Sequence, residues 1–152
     1  MYFSSYFLYG FDTFSGFPCY GPEDDLDQFR ELFSTGQISK SHYLKHQLLL
    51  RLKQDTGSME QVTTANISTS GDFSEVSYRQ LMRRIKLLGL DNIKLIKGPF
   101  QDTVPKFFQG SQQEIFSANI DCDLYQGYTI TLPFVWNNLC SGGYVHLDEY
   151  YS

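Results

Sequence analysis

The chain has 152 residues, 41% of them hydrophobic and 16% aromatic, which suits one domain with a sizeable core. A net charge of −5, with basic residues scattered rather than striped, argues against a nucleic-acid groove or a membrane-surface patch, so neither partner is expected. Three cysteines, Cys19, Cys122 and Cys140, form no CxxC pair and suit buried thiols in a reducing compartment rather than a disulfide scaffold.

Residues 1–11 are aromatic and apolar but have neither a basic n-region nor a small-residue cleavage site, so they do not read as a signal peptide. No uncharged apolar run approaches the ~20 residues of a membrane-spanning helix, and a cytoplasmic location is expected. Residues 6–11 read as a buried strand ending in Asp12, followed by a turn-rich stretch with Gly16, Pro18, Gly21 and Pro22. In a nucleotide-type fold an acid at a strand's C-terminal end can accept hydrogen bonds from both ribose hydroxyls, and Asp12 sits there. Its plainer reading is a turn-former.

From residue 22 to 35, Glu23, Asp24, Asp25 and Asp27 load the first turn of an expected helix whose apolar face is Leu26, Phe29, Leu32 and Phe33. A second helix is expected over 41–53, with Tyr43, Leu44, Leu48, Leu49 and Leu52. His42 and His46 share its face at i, i+4, the spacing of a metal pair. With no Glu at the zincin position and no third ligand nearby, they read as ordinary helix residues. Residues 55–71 are rich in Ser, Thr and Gly and read as an irregular loop able to cover a pocket. A helix over 74–88 turns Val76, Leu81, Ile85 and Leu88 inward and Arg79, Arg83, Arg84 and Lys86 to solvent, with Gly89 as its C-cap. A strand over 92–97 then turns at Gly98, where a missing side chain would let a flat ring approach the backbone, into a short helix over 103–109.

Two stretches, 116–125 and 142–151, organise the rest. In the first, an apolar run ends in Asp121 and Asp123, which a strand's period of two puts on one face, with Cys122 on the other. The second repeats the layout with a glycine turn, the run 144–147, then Asp148 and Glu149. A crossover helix over 128–139, beginning or bending at Pro133, joins them and ends at residues 141–143. Joined by helices, the strands are expected to be parallel neighbours, so the acids converge on one sheet edge. Crowded carboxylates must protonate or share a cation. All-oxygen ligands favour a hard divalent ion, taken as Mg²⁺. No period of 20 to 50 residues recurs, and the order of elements is that of an α/β fold with a parallel sheet.

Four words in register, GFDTFSGFP (10–18), KGPFQDTVP (97–105), IDCDLY (120–125) and GGYVHLDEYY (142–151), resemble the macrocin O-methyltransferase (TylF-like) family. The resemblance implies a class I, Rossmann-like methyltransferase that uses S-adenosylmethionine and a metal to methylate a hydroxyl of a sugar or other natural product. It further implies that Asp12 lies beside the cofactor ribose and that Gly98 and Phe100 lie near the adenine. As a hypothesis, Asp121, Asp148 and Glu149 hold the metal and Asp123 takes the proton of the acceptor hydroxyl. The family's second motif usually ends in two aspartates, so Glu149 is a departure.

The glycine-rich turn between the first strand and first helix of such a site is absent from the sequence. On the family's scheme the chain runs from the second strand to just after the fifth, a single partial domain with a helical and loop insertion at about 23–72. Because the first strand would lie between the second and fourth, either a gap or direct pairing of 6–11 with 116–120 is expected. Two rival readings stand: a truncated domain without catalysis, and a glycosyltransferase whose D-x-D word, Asp121 and Asp123, binds Mn²⁺ and a sugar nucleotide. The second leaves Asp148 and Glu149 unexplained. The acceptor is read only as a small-molecule hydroxyl, a sugar among the candidates, and homo-oligomerisation is left open.

Overall fold

The structure, a computed structural model, describes residues 6–56, 62–63, 73–107, 109 and 114–148. The chain divides into two compact units, Met1–Pro18 with Ser74–Ser152, and Cys19–Phe73.

Among the described residues the larger unit holds four strands in two parallel pairs. β1 (Leu8–Asp12) runs beside β2 (Ile93–Lys97), with Leu8 opposite Ile93 and Asp12 opposite Lys97. β3 (Ile115–Ile120) runs beside β4 (Leu139–Leu147), ending with Ile120 opposite Leu147. Among the described residues no hydrogen-bonded ladder joins the pairs, so of the two arrangements expected for the sheet's middle, the gap is the one found there. A ring contact between Tyr6 and Phe116, 6.3 Å between centroids, spans it.

α4 (Phe100–Phe107) ties the pairs together. Phe107 meets Tyr9 and Phe11 of β1 edge-on at 4.5 and 5.0 Å. At the helix's other end Phe100 packs against the cluster of Ile120, Cys122 and Val135, which Leu132, Val145 and Leu147 surround. That cluster is the best-formed core of the unit, and it lies directly beneath the strand ends that carry Asp121 and Asp148. α5 (Tyr125–Asn138) supplies its lid.

Several element boundaries differ from expectation for local reasons. α5 starts at Tyr125, before Pro133, which sits inside the helix on its exposed side. The glycine turn expected at 141–143 is instead an outward bulge within β4. Between Ile115 and Ser117 the register jumps from Leu139 to Tyr144, with Gly142 at φ +82° taking the left-handed backbone that the bulge needs. α3 (Tyr78–Leu87) starts four residues later than expected because Ser77 caps it, accepting the Gln80 N–H at 3.4 Å. It ends at Gly89, φ +65°, as the sequence indicates. Ile85 of its apolar row is buried, whereas Leu88 is 71% exposed.

In the smaller unit the acids after Gly21 do not open one long helix. Asp24 folds back to accept the Gly21 N–H at 3.1 Å, which closes a 3-10 turn over Pro22–Asp24, and α1 (Gln28–Ser34) begins afresh. α2 (Lys40–Thr56) packs on it through stacked pairs, Phe33 on Tyr43 and Phe29 on His46. Most of the loop expected over 55–71 lies outside the described residues. Of the cysteines, Cys122 is buried, Cys140 half-buried and Cys19 exposed, so burial holds for one thiol and not for all three. No described helix is long and apolar enough to cross a membrane.

Candidate functional site

β3 ends at Ile120, so Asp121 and Asp123 lie beyond the strand and its period of two does not place them. A three-residue turn does. The Leu124 N–H donates to the Cys122 carbonyl at 2.5 Å, and Asp123 between them has φ +56°, a left-handed backbone that aspartate tolerates better than most residues. The outcome matches the expected alternation: Cys122 is buried while Asp121 and Asp123 face solvent.

Three contacts secure that turn from below. Tyr128 donates its hydroxyl to the Ile120 carbonyl at 3.0 Å. Thr131 donates to the Gly127 carbonyl at 2.8 Å, leaving its oxygen to accept from the Cys122 thiol 3.7 Å away. Gly127 brings the first turn of α5 so close that a Cβ there would lie 2.6 Å from the Cβ of Cys122. Sequence reasoning missed Gly127, because a glycine inside a helix signals close packing only once the neighbour is known.

Asp148 follows β4 directly, and since Ile120 pairs with Leu147, Asp121 and Asp148 are the next residues on two adjacent parallel strands. Their proximity registers electrostatically. The Asp123 carboxyl is pushed above its usual range first by partial burial, then by the charges of Asp121 and of Asp148. Three acids from two strand ends thus share one patch, and carboxylate oxygens are the donors that a hard divalent cation prefers. Among the described residues no three His, Cys, Asp or Glu side chains are arranged as a metal-holding group. The third expected ligand, Glu149, lies outside the described residues.

The expected cofactor residues gather at the end of the other strand pair. Asp12 closes β1, and its backbone carbonyl accepts the Gly98 N–H at 3.0 Å, so the two are neighbours at one sheet edge. One carboxylate oxygen of Asp12 accepts the Phe14 N–H at 2.5 Å, the turn-forming role that was its plainer reading. Gly98 has φ +145°, and a Cβ there would meet Thr103 Cγ2 at 2.9 Å, so the position requires glycine. An open depression of about 630 Å³ lies beside it, lined by Lys97, Pro99, Asp102 and Thr103 among others. Phe100 opens α4 half-buried against the core of the second strand pair. Asp12 and Gly98 therefore stand together, while Phe100 turns toward the acids' side of the unit.

In the histidine pair of α2, His42 is exposed and His46 is buried against Phe29. His146 donates from Nδ1 to Asn119 Oδ1 at 2.7 Å across the β3–β4 ladder, pinning its register.

A sequence model of the family described as macrocin-O-methyltransferase (TylF) matches residues 46–152, well over half of the chain. The match takes in the words at 97–105, 120–125 and 142–151, while the word at 10–18 precedes it. No curated protein and no solved structure matches the chain.

Proposed function

The chain belongs to the macrocin O-methyltransferase (TylF) family, and on that premise we propose that it methylates a hydroxyl of a small molecule, a sugar or other natural product, using S-adenosylmethionine and Mg²⁺. The family match carries the reading, and the register that sets Asp121 beside Asp148 supports it.

In this mechanism Asp12 would accept hydrogen bonds from the cofactor's ribose hydroxyls and Gly98 would let the adenine approach the backbone, whereas Phe100, packed toward the acids' side of the unit, does not stand with them. Asp121, Asp148 and Glu149 would hold the Mg²⁺, which would lower the pKa of an acceptor hydroxyl. Asp123 takes the hydroxyl proton. Bound S-adenosylmethionine would supply an electrophilic methyl group to the deprotonated hydroxyl, giving the methyl ether and S-adenosylhomocysteine. Holding the two reactants in line and keeping water from them accounts for most of the acceleration.

Calorimetric titration of S-adenosylmethionine into the purified chain, with and without Mg²⁺, tests this. Micromolar binding that Asp12→Ala abolishes is expected, and methyl transfer should fall about 10²–10⁴-fold in Asp123→Asn. The separation of the two strand pairs favours a second reading, a domain of the same family without catalysis. Absence of cofactor binding would establish that reading in place of the first.

A further inference from the structure

α2 carries a buried histidine that the methyl-transfer reading does not use. His46 is 8% exposed, and its ring is stacked on Phe29 with centroids 3.9 Å apart and planes 6° from parallel. Among the described residues neither Nδ1 nor Nε2 has a hydrogen-bond partner. A neutral imidazole tolerates such a slot as a flat, largely apolar plate. An imidazolium does not, because protonation adds a second unsatisfied donor and a charge in a place that offers no acceptor. The face of Phe29 would attract a cation, but a ring quadrupole offsets only part of that loss.

The charged surroundings give no compensation. On α2, His42 stands one turn before His46, Lys45 beside it is exposed, and Lys53 lies two turns further on. On α1, Arg30 and Glu31 are exposed and lie off the row of Phe29 and Phe33 that meets α2. Glu23, Asp24, Asp25 and Asp27 belong to the 3-10 turn and the approach to α1. Of all these, His42 is the group whose charge acts on His46, and it repels a second positive charge.

We propose that His46 is an acid-sensitive latch: the α1–α2 hairpin is held closed by a neutral ring stacked on Phe29 and opens when that ring gains a proton. Burial first, and the His42 charge second, hold the His46 pKa below the ordinary 6.5. The native hairpin therefore binds fewer protons than the opened one. Its stability is complete above the ordinary value, is lost as pH falls through that value, and levels off below the depressed native pKa.

Native-state amide hydrogen exchange of residues 28–34 and 40–56 in the whole chain, between pH 5 and 8 and corrected for intrinsic rates, reads the opening directly. The opening constant should rise below about pH 6.5, by at most about tenfold per pH unit, while amides of the β3–β4 pair do not follow. His46→Phe keeps the stack and removes the titration, so its profile should be flat. His42→Gln removes the repulsion and should make the response shallower. Acid opening that persists unchanged in His46→Phe would overturn the proposal. So would a His46 ring resonance titrating at or above 6.5 in the unmodified chain, a measurement that decides even if the Phe variant does not fold.

Discussion

At the scale of single residues, the acid patch rests on two backbone positions with opposite tolerances. Asp123 is exposed, left-handed and repelled by two neighbours. Asn accepts the same backbone without the charge, so Asp123→Asn should raise stability by about a few tenths of a kcal/mol, the scale of solvent-screened charge pairs. Because the native carboxyl has a raised pKa, its repulsion acts once it ionises. The gain should appear at neutral pH without divalent ions and vanish below the ordinary carboxyl value of 3.8. Asp123→Val should instead lose about 1–2 kcal/mol, since a branched side chain fits the left-handed region badly. Thermal unfolding of both variants across pH checks these signs. Gly127 is the converse case. Helix propensity alone would make Gly127→Ala stabilising by about 0.5–1 kcal/mol, yet the 2.6 Å approach of Cys122 Cβ has no flexible end to give way. Overpacking of about 1–3 kcal/mol should win, and denaturant unfolding should show a net loss. The pair also marks what the sequence discloses: two aspartates after an apolar run announce themselves, whereas the glycine that seats them is silent until its neighbour is in place.

At the scale of elements, order and type were legible and ends were not. Hydrophobic runs located the four strands of the described residues and the crossover helix, because apolar side chains in each pack at least partly against a neighbour. The ends were settled by single side chains: Asp24 bonding back to Gly21, Ser77 capping α3, Gly142 opening the bulge in β4. None of these outcomes follows from periodicity, since the same residues serve equally well as helix starts or turns. α4 shows why a short element can matter more than its length suggests. Phe107 packs on β1 while Phe100 packs beneath β3 and β4, and with no ladder between the strand pairs among the described residues this helix is a principal tie between them. Phe107→Ala should destabilise the larger unit by about 2–3 kcal/mol, less than a fully buried phenylalanine because the ring is half-exposed. Amide exchange should then speed in β1 and β2 more than in β3 and β4. Equal loss in both pairs would mean that the strand pairs are coupled by something other than this helix.

At the scale of the whole molecule, the split sheet is the dominant fact. Each pair is parallel, and a parallel pair of five or six residues is weak by itself. One edge of β1 and one of β3 carry no ladder among the described residues, and large apolar side chains stand near both: Tyr6, Phe7 and Leu8 on one side, Phe116 and Tyr144 on the other. Unpaired backbone beside exposed aromatic surface is a template for another strand. The purified chain should therefore associate as its concentration rises, with weight-average mass in sedimentation equilibrium exceeding that of the 17.6 kDa monomer. Charge on an edge discourages strand addition, so Leu8→Lys combined with Phe116→Lys should return the chain toward monomer without removing Asp12, Gly98 or the acid patch. If the chain stays monomeric throughout, the edges are satisfied by its own residues. If the double variant associates as strongly as the parent, association runs through another surface, and the exposed leucines Leu44, Leu48 and Leu52 of α2 become the next to substitute.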